Sequence, residues 1–598
     1  MDQRPDRRIA EAAKKPGRDC FLLSTGMILG CFALAFSLIG ILSFAQKSPT
    51  VDEPIHLFAG YSYLKWGDFR ANPEHPPFVK LWAALPLLAF DVKDPVPSSP
   101  LWDGILESER PLPTRNLAAQ MLFVDNDDET LFFVAKLQMI ALGILLGIFV
   151  YLWSKELFGV VAGIAALFLF ALDPNILAHS QIVHTDLAFT AFFFIGTYYF
   201  WRALSHLTWP NLLLAWVFSA LAAITKYSYP VILLAWAVLA LLKMISSEPL
   251  RCSIGMPGSI SSRWKKAVIL TGIGVSAAMM AYLFIWAVYG FRFDAIPGGS
   301  AHLHLDWVMP GEDSPLRPLV AFVIDHRLFP EAWIYGQLYT FKYLQRISFL
   351  FGQASDDGFW SYFPVAFAVK TPLPTLMVLI VGLNMFLRGR LNRMRALFLL
   401  VPAVVYFSLA VASRANIGLR YILPVYPFLF VLAGGAVAEL WKHGGWIRKG
   451  VALLAVWSLW SCLSIYPSYL AFFNELVGGP DNGYKMLLDS NLDWGQDLKG
   501  LKRWMDANGV KKIWLAYFGA AYPEYYGIDS ATVEGSWIEY DPPATRSIPN
   551  SRYMALSAHL LYGLYKENSL IWLFRTRKPV AIIGHSIFVF NMDAAENP

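Results

Sequence analysis

The chain has 598 residues, of which 56% are hydrophobic and only 16% charged, with a formal net charge of +5. Soluble globular domains are usually about a quarter charged, so this balance and a mean hydropathy of +0.44 exclude an ordinary soluble protein and point to a polytopic membrane protein. The small charge excess, with no long basic run, glycine-rich phosphate loop or zinc-ribbon spacing, gives no reason to expect nucleic acid as a partner.

Residues 1–19 form a basic tail holding Arg4, Arg7, Arg8, Lys14, Lys15 and Arg18. The apolar run at 21–45 is too long for a cleavable signal and lacks a small-residue cleavage site, so it reads as a first transmembrane helix. A span takes about 20 mainly apolar residues. Further spans are expected near 131–153, 157–174, 187–205, 210–225, 229–246, 267–289, 372–387, 396–412, 422–440 and 450–470. Lys and Arg collect in the N-terminal tail, at 243–266, at 388–395 and at 442–449. Eleven spans with the N-terminus inside put all four basic segments in the cytoplasm, as the positive-inside rule requires. The four cysteines (Cys20, Cys31, Cys252 and Cys462) form no CxxC pair, so neither a disulfide framework nor a cysteine metal site is expected.

The expected architecture is thus a polytopic α-helical membrane domain at 20–470, with outer loops at 46–130 and 290–371. A C-terminal extracytoplasmic mixed α/β domain follows at 471–598, where "KKIWLAYFG" and "PVAIIGHSIFVFNM" alternate with turn-rich pieces. No internal repeat supports an inverted-repeat transporter.

Polar chemistry gathers at the outer ends. Directly after the first span, "TVDEPIHLFAGYSYLKWGDFRANPEHPPFVKLW" holds Asp52, Glu53, His56, Asp68, Glu74 and His75. Pro54 and Asp52 suit the start of a helix, which would set Asp52 and His56 on one face. "NPEHPP" must be a non-helical loop, because Pro73, Pro76 and Pro77 forbid the helical ladder. His179, His184 and Asp186 open the fourth span, Lys226 leaves the fifth, Lys370 precedes the eighth, and Arg414 and Arg420 precede the tenth. A lone cation at a helix end often only snorkels, yet Arg420 stands where positive charge is otherwise scarce and could grip a lipid phosphate. Together these groups describe one site at the outer leaflet, with a carboxylate to take a proton and cations to stabilise a departing phosphate. His and Glu members could instead hold a divalent metal ion.

At these residues the chain resembles a known family. "VDEPIHLFAGYSYLKWGDFRANPEHPPFVKLWAALPLL" is similar to the first outer loop of the GT-C glycosyltransferases related to protein O-mannosyltransferases and the bacterial aminoarabinose transferases. "HSQIVHTDLAFTAFFF", "FWSYFPVAFAVKTPLPTL" and "RYILPVYPFLFVLAGG" resemble further blocks of the bacterial branch, and "YLAFFNELVGGPDNGYKMLLDSNLDWGQDLKGLKRWM" resembles the tail of one bacterial subgroup. The resemblance implies a bacterial inner-membrane enzyme that moves a sugar, with inversion, from a polyprenyl-phosphate donor to an extracytoplasmic hydroxyl on a lipid, glycan or protein. It places the general base on Asp52 with Glu53 beside it, and an acidic/histidine pair, a candidate metal site, on Glu74 and His75. Donor-phosphate contacts fall on Lys80, Lys226, Lys370 or Arg420, with His56 and Asp186 among the substrate-binding groups. The chain departs from the aminoarabinose branch at "EHPP", where relatives carry a His-Lys-Pro-Pro type motif.

The alternative function is a lipid or glycan transporter or flippase with an outer binding domain, which would carry its charges near the bilayer midplane. In the tail, Asp489, Asp493 and Asp497 would share one helical face, either as a cation site or as a solvated edge. The solvated edge is expected, since like charges at that spacing repel.

Overall fold

The computed structural model describes residues 24–593 apart from 97–98, 110–111, 255–257, 300, 344–345, 534–536, 539–550 and 563–568. The basic tail 1–19 lies outside the described residues. All eleven apolar segments are helical where described, and among the described residues six helices are long and apolar enough to cross a membrane. These are α1 (Thr25–Phe44), α4 (Asp128–Phe158), α7 (Thr185–Ser205), α10 (Arg263–Val288), α13 (Arg393–Ala412) and the stretch Leu419–Lys442 that ends in α14 (Tyr426–Lys442). Helices α11 (Tyr362–Lys370) and α12 (Leu373–Leu387) meet at 113° and make a seventh span if counted together. The remaining segments form α5 (Val160–Ala171), α8 (Trp209–Ala223), α9 (Pro230–Ile245) and α15 (Gly445–Ser464).

By length and composition six or seven of the eleven expected segments qualify as full spans among the described residues; α15 has 20 residues but is less apolar, and α5, α8 and α9 are shorter. For α5 the reason is reach: its 12 residues extend only about 18 Å against a ~30 Å hydrocarbon core. α5 buries its apolar side against protein instead, and a Cβ on Gly434 of α14 would lie 2.5 Å from the Ala162 carbonyl oxygen. At the centre, α7 and the Leu419–Lys442 stretch each have 83% of their apolar window buried, against 28% for the peripheral α1 and α10.

Outside the spans, α2 (Glu53–Trp66) starts where Pro54 and Asp52 predict and stops at Gly67, whose φ of 63° is the left-handed cap. α3 (Phe78–Ala84) begins only after the "NPEHPP" loop. The two helices cross so closely that a Cβ on Gly60 would stand 1.9 Å from the Lys80 carbonyl oxygen. α6 (Pro174–His179) is a short turn capped by Asp173, whose carboxylate accepts from the Asn175 and Ile176 N–H groups at 2.9 and 3.0 Å.

The tail carries a mixed sheet built from β1 (Lys512–Ala516), β2 (Asp529–Thr532), β3 (Tyr553–Ser557), β4 (Ala581–Ile583) and β5 (Ile587–Asn591). Its order is β4-β5-β3-β1-β2, parallel across β3, β1 and β2 and antiparallel at β5. Helix α16 (Leu498–Ala507) precedes it and buries Leu498, Leu501 and Met505.

The tail is stitched to the membrane helices at backbone level. The Ser48 and Val51 N–H groups donate to the Gln496 and Trp494 carbonyls, each at 2.9 Å. At the α11–α12 bend, carbonyls freed by the break are satisfied by side-chain amides. Asn474 Nδ2 donates to Ala368 and Thr371 at 2.7 and 2.8 Å, and Asn175 Nδ2 donates to Lys370 at 2.7 Å. Broken helices persist at membrane depth only when such partners are supplied.

Replacing Gly60 with Ala should force α2 and α3 apart, at a cost of about 1–3 kcal/mol. Thermal unfolding in detergent should show a lower midpoint, and an unchanged midpoint would contradict this packing.

Candidate functional site

Asp52 occupies the N-cap position of α2 but makes no capping bond with its side chain. Its carboxylate instead meets Arg420 Nη1 at 3.1 Å, across 368 residues of sequence. Arg420 belongs to the 3-10 turn Leu419–Val425 that leads into α14, and its guanidinium also lies 3.9 Å from the Asp186 carboxylate. Asp186, in the first turn of α7, forms an ion pair with Lys226. His184 Nδ1 lies 3.0 Å from Asp186 Oδ2, and its Nε2 lies 3.1 Å from His179 Nδ1. The result is a chain of alternating charge: Asp52, Arg420, Asp186, Lys226.

Asp186, Arg420 and Lys226 are buried, whereas the Asp52 side chain keeps 27% of its surface exposed. Asp52 is therefore the open end of the network. Arg420 Nε is buried and has no hydrogen-bond partner among the described residues. The ring of Trp494 covers that group with its centroid at 4.2 Å, and Tyr421 lies at 5.6 Å. Tyr421 also lies 4.7 Å from the Lys226 ammonium.

Helix α2 sets this geometry by holding both backbone polar groups of one residue, Val183. Glu53 Oε1 accepts the Val183 N–H at 3.0 Å, and His56 Nδ1 lies 3.1 Å from the Val183 carbonyl oxygen. Glu53 is fully buried, accepts the Thr50 N–H at 2.8 Å and lies 3.3 Å from Lys136 of α4. Glu53 thus fixes the turn that carries His184 and Asp186, and Lys136 is its counter-charge. Burial lowers the His56 imidazole to about 4, although Asp52 pulls it the other way. Burial also holds His179 and His75 well below the usual histidine range, helped by His184 for the first and Lys226 for the second.

Two expected phosphate ligands are occupied elsewhere. Lys80 is fully buried, and its ammonium binds the Asn72 carbonyl at 2.7 Å, Asn72 Oδ1 at 3.1 Å and the His75 carbonyl at 2.9 Å. It ties the "NPEH" loop to α3. Lys370 donates to the carbonyls of Leu470, at 2.8 Å, and Asn491, joining the α11–α12 bend to the tail. Glu74 lies 3.7 Å from Arg346, while His75 Nδ1 is buried without a partner among the described residues and its ring centroid is 6.2 Å from that of His56. Among the described residues no group of three His, Cys, Asp or Glu, Glu74 and His75 included, is placed to hold an ion.

The "DSNLDWGQD" block corrects an expectation. Asp489, Asp493 and Asp497 are buried and form no shared helical face, because Asp489 has a φ of 58° and only 489–491 is helical, as a 3-10 turn. Each carboxylate has its own partners: Asp489 takes the Ser490 N–H at 2.5 Å, Asp493 takes Ser557 Oγ and the His559 N–H, and Asp497 takes Lys47 at 2.6 Å and Ser586 Oγ at 2.6 Å. The block is a buried joint between tail and site, with Asn491 Oδ1 accepting the Leu419 N–H at 2.9 Å beside Arg420. Trp494 is the site residue that sequence reasoning missed. Its only signal was its place inside that polar block.

Residues 120–256 match the family model described as dolichyl-phosphate-mannose-protein mannosyltransferase. The matched segment holds Lys136, His179, His184, Asp186 and Lys226, and the match supports the resemblance to GT-C glycosyltransferases. No curated protein sequence matches the chain. Among solved structures, ArnT from Cupriavidus metallidurans bound to undecaprenyl phosphate is 13% identical with a TM-score of 0.45, covering 96% of this chain and 99% of that one. The S. cerevisiae protein O-mannosyltransferase Pmt1-Pmt2 complex bound to the sugar donor is 12% identical with a TM-score of 0.46, covering 77% and 92%. The Archaeoglobus fulgidus oligosaccharyltransferase tethered with an acceptor peptide is 13% identical with a TM-score of 0.42, covering 87% and 61%.

The buried histidines make the fold acid-sensitive. A His56 held at about 4 in the native state and near 6.5 when unfolded stabilises the fold fully above pH 6.5 and loses that stabilisation as pH falls toward 4. The loss from His56 alone is about 3 kcal/mol. Buried Asp173 and Asp493, raised to about 7, act with the opposite sign over this window, so the test is the difference: unfolding midpoints measured from pH 7 to 4 should fall more steeply in the wild-type protein than in His56→Gln. Identical slopes in the two proteins would contradict the assignment.

Proposed function

We propose that this protein is an integral-membrane glycosyltransferase that moves a sugar from a polyprenyl-phosphate donor to a hydroxyl of an extracytoplasmic acceptor. The observation that carries the reading is the Asp52–Arg420 contact at 3.1 Å, which sets a half-open carboxylate beside a buried guanidinium. The family match at 120–256 supports the same class of reaction.

In this reading Asp52 is the general base. It takes the proton of the acceptor hydroxyl as that oxygen attacks the anomeric carbon. The bond from that carbon to the donor phosphate oxygen breaks, and its electron pair leaves with the phosphate. Arg420 offers its Nε edge to the leaving phosphate, with Lys226 behind it, so the growing negative charge meets fixed cations in a site largely closed to water. A single displacement from the opposite face inverts the anomeric centre. Asp186 holds Arg420 and Lys226 in place. Glu53, Lys80 and Lys370 have no step in this reaction.

The membrane placement follows the charge distribution of the loops, with the N-terminus in the cytoplasm and the site and tail outside a bacterial inner membrane. Donor, acceptor and surrounding lipid are the partners this arrangement requires.

Turnover of a polyprenyl-phosphate sugar by purified protein in detergent tests the proposal, because transport needs two compartments and catalysis does not. Asp52→Asn should fold and elute normally yet lose about 100- to 10,000-fold of that turnover. A well-folded Asp52→Asn protein with full activity would remove Asp52 as the base.

A further inference from the structure

An open cavity of about 740 Å3, none of whose lining residues belongs to the Asp52 network, lies between the start of α4 and helix α16. Contacts to α1 fix its height. Lys499 Nζ donates to the carbonyl of Ala45, the residue after α1, at 3.3 Å, and Arg503 Nη2 reaches the Gln46 carbonyl at 3.5 Å. The facing wall is the first turn of α4, with Phe133 a turn further along that spanning helix and 40% exposed. The cavity therefore straddles the level at which two spanning helices end, where phospholipid headgroups sit.

α16 turns its charged face to this space. Lys499, Lys502 and Arg503 are spaced i, i+3 and i+4 and so lie together on the helix surface, opposite the buried Leu498, Leu501 and Met505. The acidic groups of the cavity already have partners. Asp127 accepts from Thr130 Oγ1 at 2.6 Å and from the Tyr525 hydroxyl at 3.0 Å, and Glu129 pairs with Lys499 at 2.9 Å. Among the described residues Lys502 pairs only along its own helix, with Asp506, an exposed contact of a kind worth little. Among the described residues, Arg503 has no partner beyond the long bond to Gln46. Tyr525 and Tyr526 complete the wall, and tyrosines concentrate at membrane–water boundaries.

We propose that this cavity binds the phosphodiester headgroup of a membrane phospholipid. Its phosphate sits on Arg503 and Lys502, and its acyl chains descend past Phe133 along α4. The planar guanidinium matches phosphate oxygens in pairs, and the cation stripe on α16 anchors the tail to the bilayer beside the site. Because a soluble phosphate ester offers the same chemistry, the test separates the two sources.

Full-length protein in a neutral maltoside detergent is followed by thermal unfolding, with added dioleoyl-phosphatidylglycerol or with glycerol 3-phosphate. The lipid should raise the wild-type midpoint by several degrees and glycerol 3-phosphate should leave it unchanged. The double variant Lys502→Ala/Arg503→Ala should bind the lipid at least about tenfold more weakly. Arg503→Gln, which keeps the side-chain bulk, should lie between the two and guards against a misfolded double variant. Equal lipid responses in the wild type and both variants would overturn the site. Equal stabilisation by glycerol 3-phosphate would overturn the lipid assignment.

Discussion

A buried guanidinium between two carboxylates organises the structure around it. Taking Arg420, Asp186 and Lys226 out of water costs several kcal/mol for each charge, and only close pairing returns that cost. The pairs come from four distant parts of the chain: Asp52 from the start of the first outer loop, Asp186 from α7, Lys226 from the exit of α8 and Arg420 from the turn before α14. Removing one member of such a set leaves an uncompensated charge, at about 3–5 kcal/mol. Each of these loops is therefore held where its partner needs it. The same constraint accounts for the α2 clamp on Val183, which prevents Asp186 from drifting away from Arg420.

Around this core the tail acts as part of the site. The Trp494 ring covers the Arg420 guanidinium, and Trp494 is fixed by the backbone bond from Val51 to its own carbonyl. Lys370 ties Asn491 and Leu470 to the bend between α11 and α12. Water is excluded from Arg420 by a segment that reads as soluble, which joins membrane helices and tail into one functional unit. Asp52 remains half open at the edge of that cover, where an acceptor hydroxyl could approach.

Hydropathy located eleven apolar helices, because about 20 apolar residues have few other destinations, though not the short apolar stretch Phe78–Ala89. It could not distinguish a full span from a 12-residue helix such as α5 buried among longer neighbours, since both read as continuous apolar runs. Asp52, Asp186, Lys226 and Arg420 were legible as charges stranded at outer helix ends, and the structure brings those four together. Lys80 and Lys370 looked the same by that criterion, but a cation's charge does not reveal which backbone carbonyls will surround it. The aspartates of "DSNLDWGQD" were misread because a helical period was assumed where Asp489 turns into the left-handed region and breaks it. Trp494 carried no charge to draw attention, and its importance depends on a cation 74 residues away that only the folded chain brings beneath it.

The central claim is that Asp52 and Arg420 operate as one unit on the donor phosphate and the acceptor proton. A double-mutant cycle on sugar-donor turnover, using Asp52→Asn, Arg420→Met and both together, measures that coupling directly. The account predicts strong non-additivity, with the double variant little worse than the weaker single variant. Losses that simply multiply would mean that the two residues act independently, and the proposed site would not stand.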